Sequence, residues 1–318
     1  MNNFGVFAPF RWANRKNVLI LTYHRFSNEK TQATISAEEF ELHLNYLSKN
    51  NCVLPLSDII DKLEGGRTLP PNTTAITIDD GYRDSYEIAF PLLKKFGIPA
   101  TVYAITDFLD GKIWVWTDLM RYVLVNTKCN QLKLEFDEID KIEIDLTDKL
   151  QRLETATRIN SRLKKLPNEQ RDEKIQAIAG DLNVKLPEVP PADFAPLDWN
   201  EACEMDRENI KIESHTVTHP ILPNLSAEQI DFEIKCSKNR LEEMLGRRVE
   251  HFCYPNGSLN ENALSAAGNA GYKSAVTTIY GFNDAQTNLH LLHRIDAQSA
   301  IENFAQSVSG FEALRNKF

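Results

Sequence analysis

Three runs do most to constrain the fold: Val18–Tyr23 (VLILTY), Thr74–Ile78 (TAITI) and Ala100–Ile105 (ATVYAI). Each is apolar or β-branched at almost every position. A strand with one solvated face alternates polar and apolar residues. A strand apolar throughout is buried on both faces, as in a parallel sheet with helices packed against it. Helical signals lie between the runs. Ser36-Ala37-Glu38-Glu39 is a capping box, and the helix it opens carries Phe40, Leu44 and Leu47 on one face. A short strand at 52–54 and a helix from Ser57 to about Glu64 follow, ended by Gly65-Gly66. A further helix over 84–96 is stopped by Gly97 and Pro99. Strand, helix, strand, helix, strand is the order of an α/β fold with parallel strands and outer helices.

After the third run the rhythm breaks. Residues 107–196 are charged and mostly helical: Leu132–Leu146 alternates like a hairpin, Asp148–Leu166 and Glu169–Leu182 read as amphipathic helices, and a Pro-rich linker closes the stretch. The rhythm then resumes. Ile210–Glu213 is a short strand, and Ser226-Ala227-Glu228-Gln229 is a second capping box whose helix runs to Leu245 and stops at Gly246. Strands are expected at Val249–Tyr254, Ser274–Thr278 and Leu289–Ile295, with helices near Glu261–Ala270 and Ala300–Asn316. The length of 318 residues allows one barrel of about 250 residues carrying an insertion, or two domains, and a count of seven or eight strands agrees with the barrel. Residues 1–106 and 197–318 are therefore assigned to the barrel. Residues 107–196 are the insertion, either a lid or substrate wall, or a solvated decoration.

The formal charge of −9 argues against nucleic acid, and against an anionic membrane surface, as the main partner. The five cysteines (Cys52, Cys129, Cys203, Cys236, Cys253) are odd in number, scattered and without a C-x-x-C, as expected of reduced thiols in the cytoplasm. The N-terminal stretch lacks the basic region and long apolar core of a signal peptide. No run reaches the roughly 18–20 apolar residues of a membrane span. The aromatic residues Phe4, Phe7, Phe10 and Trp12 are expected to cover the protein's own core, with peripheral contact to a membrane or partner as the alternative.

The chemistry is concentrated at strand ends. The run Thr74–Ile78 ends in Asp79-Asp80-Gly81. Two adjacent carboxylates at a buried strand end repel one another and are costly unless a cation or a shared proton resolves them. A second strand feeds His215-Thr216-Val217-Thr218-His219. Two histidines four apart can converge on one cation, and with one carboxylate they make the ligand set of catalytic zinc, with a position left for water. The second Asp then has a separate task, taking the proton of that water.

Together these motifs resemble the polysaccharide deacetylases, the NodB-homology carbohydrate esterases of family 4. Thr77-Ile78-Asp79-Asp80-Gly81 looks like that family's T-F-D-D-G, with Ile78 for Phe, and His215–His219 looks like its H-[ST]-x-x-H. Phe252-Cys253-Tyr254-Pro255-Asn256-Gly257 is similar to its third motif in the F-x-Y-P-x-G branch, which includes exopolysaccharide deacetylases. The resemblance implies an incomplete (β/α)7-like barrel and removal of acetyl groups, N-acetyl foremost, from a saccharide. It implies Asp79 as general base, and Asp80, His215 and His219 as ligands of zinc or another divalent transition metal. It implies the backbone N–H of Asn256 as oxyanion donor. Many members carry Arg at the position of Cys253 to orient the base; here Arg294 and Arg25 are the candidates for that role. The general acid has two candidates: His24, which ends the first run, and His293, in Leu291-Leu292-His293. Tyr254, Pro255, Arg294, Arg25 and Tyr82 are the expected lining.

Three other readings compete. Two histidines and a carboxylate also form the facial triad of iron oxygenases, but those usually place His and carboxylate two apart, unlike this spacing. An inactive, carbohydrate-binding member of the fold is suggested by the replaced Arg and an unmatched fourth motif. Hydrolysis of a non-sugar amide C–N bond is the third.

Overall fold

The computed structural model describes residues 4–30, 34–135, 141–148 and 151–312. The chain forms two compact units, one running up to Asp110 and resuming at Pro196, the other Gly111–Ala195.

The first unit is built on seven strands: β1 (Leu19–Tyr23), β2 (Thr73–Ile78), β3 (Ala100–Ala104), β4 (Ile210–Ser214), β5 (His251–Cys253), β6 (Ser274–Tyr280) and β7 (Leu292–Asp296). Every pairing is parallel and joins strands consecutive along the chain, and β7 pairs with β1. The sheet is thus a closed seven-stranded barrel, one strand short of the eight-stranded form. The two-residue strand Cys52–Val53 adds to β2 outside the ring.

The apolar runs are continuous because each strand buries both faces. Ile20, Ala75, Tyr103, Cys253, Val276 and Leu292 form one cluster with Leu56, Ile59 and Ile60 of the Leu56–Glu64 helix. These residues point to the barrel axis. Their strand neighbours Leu21, Ile76, Val102, Ile212, Phe252 and Ile295 belong to a second cluster with Phe40, Leu44, Ile230 and Ile234 from the surrounding helices. Strand alternation therefore sorts every later residue on these strands into inward or outward.

Both expected capping boxes form, at Ser36 and Ser226. A third, Asp198 with Glu201, opens a helix, Trp199–Arg207, that sequence patterning missed. The last helix closes at Ser309, where Gly310 takes the left-handed φ of 79°. The expected continuation over 313–316 lies outside the described residues. Phe7 and Phe10 set their rings against Phe311, whereas Trp12 is 66% exposed. The five cysteines form no disulfide. Among the described residues, no helix is long and apolar enough to cross a membrane.

The second unit contains helices Trp116–Asn126, Gln151–Leu163 and Asn168–Asp181, and an antiparallel pair, Gln131–Glu135 with Lys141–Asp145. Leu132 and Leu134 are buried between exposed neighbours, the alternation of a half-solvated strand. The connection expected to close this hairpin, 136–140, lies outside the described residues, as do 149 and 150 ahead of the second helix.

Candidate active site

β1 and β2 run level, Tyr23 opposite Ile78, so the residues that follow them emerge at one rim. Asp79 still belongs to the ladder: its N–H donates to the Tyr23 carbonyl at 2.8 Å. It shares parity with Ala75 and Thr77 and so points inward. The next two residues leave the strand with positive φ, 78° at Asp80 and 81° at Gly81. Aspartate tolerates that region better than most side chains do. Gly81 is needed for space as well, because a Cβ there would lie 3.0 Å from Leu109 and 3.3 Å from Ala104. The turn sends the two neighbouring carboxylates into different surroundings.

Asp79 is 2% exposed and held by Arg294, which is 3% exposed. Arg294 Nη1 donates to Oδ1 and Nη2 to Oδ2, both at 2.7 Å, a bidentate pair. The other donors of Arg294 are also engaged: Nε to the Thr277 carbonyl at 2.8 Å and Nη1 to Thr77 Oγ1 at 3.2 Å. The Thr277 carbonyl is available because β6 shifts register against β7 between Val276 and Tyr280, a bulge beside the site. Cys253 Sγ donates to Asp79 Oδ2 at 3.4 Å, and burial pushes this thiol above its ordinary pKa. Burial alone would push the Asp79 carboxyl up. The Arg294 guanidinium, with smaller contributions from His24 and His215, outweighs this, and the carboxyl titrates below its ordinary value. His24 Nε2 stands 3.8 Å from Asp79 Oδ2 with its side chain 51% exposed.

Asp80 faces the histidines. Its Oδ1 lies 3.5 Å from His215 Nε2 and 3.6 Å from His219 Nε2. Two ligands about 2.1 Å from a tetrahedral ion are about 3.4 Å apart, so this spacing suits a shared cation. The three donor atoms lie within 4.8 Å of one another. His215 Nδ1 donates to the Cys253 carbonyl at 2.7 Å, which leaves Nε2 as the nitrogen facing Asp80. Asp79, His215 and Cys253 form a second triplet of the same compactness. There, however, the Arg294 guanidinium already contacts both Asp79 and Cys253 Sγ and would repel an added cation.

The Pro255-Asn256-Gly257 turn follows β5. Asn256 has φ 55°, and a Cβ at Gly257 would fall 2.0 Å from Thr278 Oγ1. The turn is thus pressed onto β6, and only glycine fits at its end. Pro255 is buried.

Not every expected residue reaches the site. His293 lies between the inward Leu292 and Arg294, so it points outward; its Nδ1 is 3.3 Å from the Phe282 carbonyl. Tyr254 follows the inward Cys253 and packs edge-on against Phe252 in the outer cluster. Arg25 pairs with Asp84 at 2.6 Å and stacks 4.0 Å over Tyr82, so of the two arginine candidates it is Arg294 that meets Asp79. Tyr82 itself is 2% exposed and packs edge-on to Phe108. The contact of Cys253 with Asp79 was not foreseen. Strand parity was the available signal, since Cys253 precedes a residue of the outer layer.

Residues 66–275 match the family model described as Polysaccharide deacetylase. A Bacillus subtilis protein, YxkH, named as a polysaccharide deacetylase, is 24% identical over 277 residues, covering 87% of this chain and 70% of that one. The poly-beta-1,6-N-acetyl-D-glucosamine N-deacetylase of Staphylococcus epidermidis is 29% identical over 113 residues, 30% of this chain and 39% of that protein. Among solved structures, the Streptococcus pyogenes deacetylase PplD in complex with acetate is similar in fold. Its TM-score is 0.62 at 20% identity, with 92% of this chain and 98% of that chain covered.

Proposed function

Since the chain belongs to the polysaccharide deacetylase family, we propose that it hydrolyses an acetyl group, N-acetyl first of all, from a saccharide with the help of a divalent transition metal such as zinc. One observation carries the reading. Two carboxylates adjacent in sequence are parted into two environments, Asp79 on an arginine and Asp80 on two histidines. Neither a binding module nor a structural turn needs that division.

In this reading Asp80, His215 and His219 hold the metal. A divalent metal held there would polarise the acyl carbonyl and make water acidic enough to react. Asp79, kept ionised by Arg294, takes the proton of the attacking water. The bidentate grip fixes the carboxylate's orientation, so that one oxygen stays aimed at the reacting centre. The Asn256 N–H donates to the oxyanion as it develops, from a turn too constrained to relax away. His24, exposed at the rim beside Asp79, delivers a proton to the departing nitrogen as the C–N bond breaks, giving acetate and the free amine. His293, turned outward, takes no part.

The name of the Staphylococcus epidermidis relative makes N-acetylhexosamine units the first substrates to try. The test is acetate release from chitooligosaccharides, UDP-N-acetylhexosamines and O-acetylated sugars, with and without chelator. Chelator-sensitive release from an N-acetylated sugar is the expected result. No release from any of them with metal supplied would overturn the proposal.

A further inference from the structure

The Ala227–Leu245 helix buries Ile230, Glu233, Ile234, Ser237 and Leu241. This is the spacing of a single helix face, and Glu233 sits in its middle at 6% exposure. A carboxylate placed there is costly unless its oxygens are satisfied. The three hydrogen bonds it accepts come from two adjacent residues. Oε2 takes the N–H of Val217 at 2.8 Å and of Thr218 at 2.9 Å, and Oε1 takes the Thr218 hydroxyl at 2.6 Å. Val217 and Thr218 are the middle of the segment between His215 and His219.

That segment is strained on both sides of the contact. Thr216 has φ 71° and His219 φ 56°, a region that a β-branched residue in particular avoids. Thr216 Oγ1 accepts the His219 N–H at 3.0 Å, and the carbonyls of Thr216 and Val217 accept from Thr106 and Asp107 at 3.2 and 3.0 Å. The loop is therefore gripped by its carbonyls from one side and by its N–H groups from the other. Without the second grip, the buried N–H of Val217 and the part-buried N–H of Thr218 lose their partner, and the relaxation open to the loop is to leave the left-handed region. That would swing His219 away from His215.

We infer that Glu233 is a positioning residue for the metal ligands: it fixes the Val217–Thr218 turn and thereby aims His215 and His219 at Asp80. The inference rests on the metal reading of that triad. It acts on metal affinity and ligand geometry, not on the chemical step.

Zinc affinity by chelator competition and the visible spectrum of the cobalt(II) form test it, alongside circular dichroism for folding. Glu233→Ala should weaken zinc binding by about 10- to 100-fold, the usual cost of losing a group that orients a ligand, and change the cobalt spectrum. Glu233→Gln should rescue both, because its carbonyl can keep the two N–H groups while its amide donates to the Thr218 hydroxyl. If Glu233→Ala does not fold, Glu233→Asp, shorter by one methylene, serves in its place with the same expected loss. Ser237→Ala is the control: on the same buried face and bonded to Ser214 at 2.7 Å, it should lower stability and leave zinc affinity unchanged. Wild-type zinc affinity and cobalt spectrum in Glu233→Ala, or in Glu233→Asp where it stands in, would overturn the inference, as would an equal loss in Ser237→Ala. A wild-type protein that binds neither metal overturns the metal reading, and this inference with it.

Discussion

Replacing Arg294 by Met gives the sharpest test of how Asp79, the proposed base, is held. The substitution keeps much of the side chain's volume and removes the charge. Asp79 is 2% exposed and would be left with Cys253 and a histidine edge for company. Breaking one side of a buried bidentate pair costs about 3–5 kcal/mol. At about 2–4 °C per kcal/mol for a unit of this size, Tm should fall by roughly 6–20 °C. The pH dependence carries more information. In the wild type the folded-state pKa of Asp79 lies below its ordinary 3.8. The carboxylate therefore stabilises the fold above that range and ceases to as pH drops through the folded value. In Arg294→Met, burial acts with only the weaker attraction of His24 and His215 against it. The carboxyl's pKa should rise above its wild-type value. Ionised Asp79 then destabilises the variant at neutral pH, and acidification through the raised pKa relieves the strain. The acid limb of kcat/KM should move toward neutrality by the same amount, while Arg294→Lys, which keeps charge without the fork, falls between. The assay is acetate release against pH on metal-loaded protein, with thermal melts at each pH. An acid limb and a Tm both unchanged in Arg294→Met would refute the account of Asp79.

The remaining site predictions separate the two carboxylates and the two candidate acids. Asp79→Asn should lower turnover by at least about 10²–10⁴-fold while zinc stays bound, whereas His219→Ala should lose zinc; both are read by acetate release and metal analysis of the same samples. His24→Ala should cost about 10²–10⁴-fold in acetate release and His293→Ala should leave it within a few-fold of wild type, since that ring points out of the barrel with its Nδ1 beside the Phe282 carbonyl; the reverse ranking would move the acid to His293.

Much of the barrel is legible in the sequence because a strand buried on both faces has few ways to be written. The same property hides the inside from the outside. In Leu291-Leu292-His293-Arg294, apolarity does not say which residue points to the axis, so a match by letters drew attention to His293. Only the ring, which groups Leu292 with Ile20 and Cys253, shows that Arg294 points in and His293 out. Tyr254 was misplaced for the same reason. The grouping of Asp80 with His215 and His219 was readable because aspartate, histidine and their spacing carry their chemistry with them. The Trp199–Arg207 helix was missed for the opposite reason. It follows a Pro-rich linker in the sequence and has little apolar periodicity, although its capping box, Asp198 with Glu201, was there to be seen.

The proposed division of labour between Asp79 and Asp80 depends on one backbone feature, and Gly81 tests it. Consecutive strand residues point to opposite faces, so an extended Asp80 would be driven into the helix layer, away from His215 and His219. The left-handed pair at Asp80 and Gly81 prevents this, turning the chain just after Asp79 has made its last ladder bond. Gly81→Ala adds about 1–2 kcal/mol of backbone strain at φ 81° and sets a methyl 3.0 Å from Leu109 and 3.3 Å from Ala104. The turn must open, and Asp80 is the residue it carries. Asp79 lies upstream, anchored to Tyr23 and Arg294, and should keep its place. Zinc affinity should therefore drop by about tenfold or more, while the Arg294-dependent acid limb of the residual activity stays where it was. Zinc binding undiminished in a folded Gly81→Ala protein would mean that the turn does not set the position of Asp80.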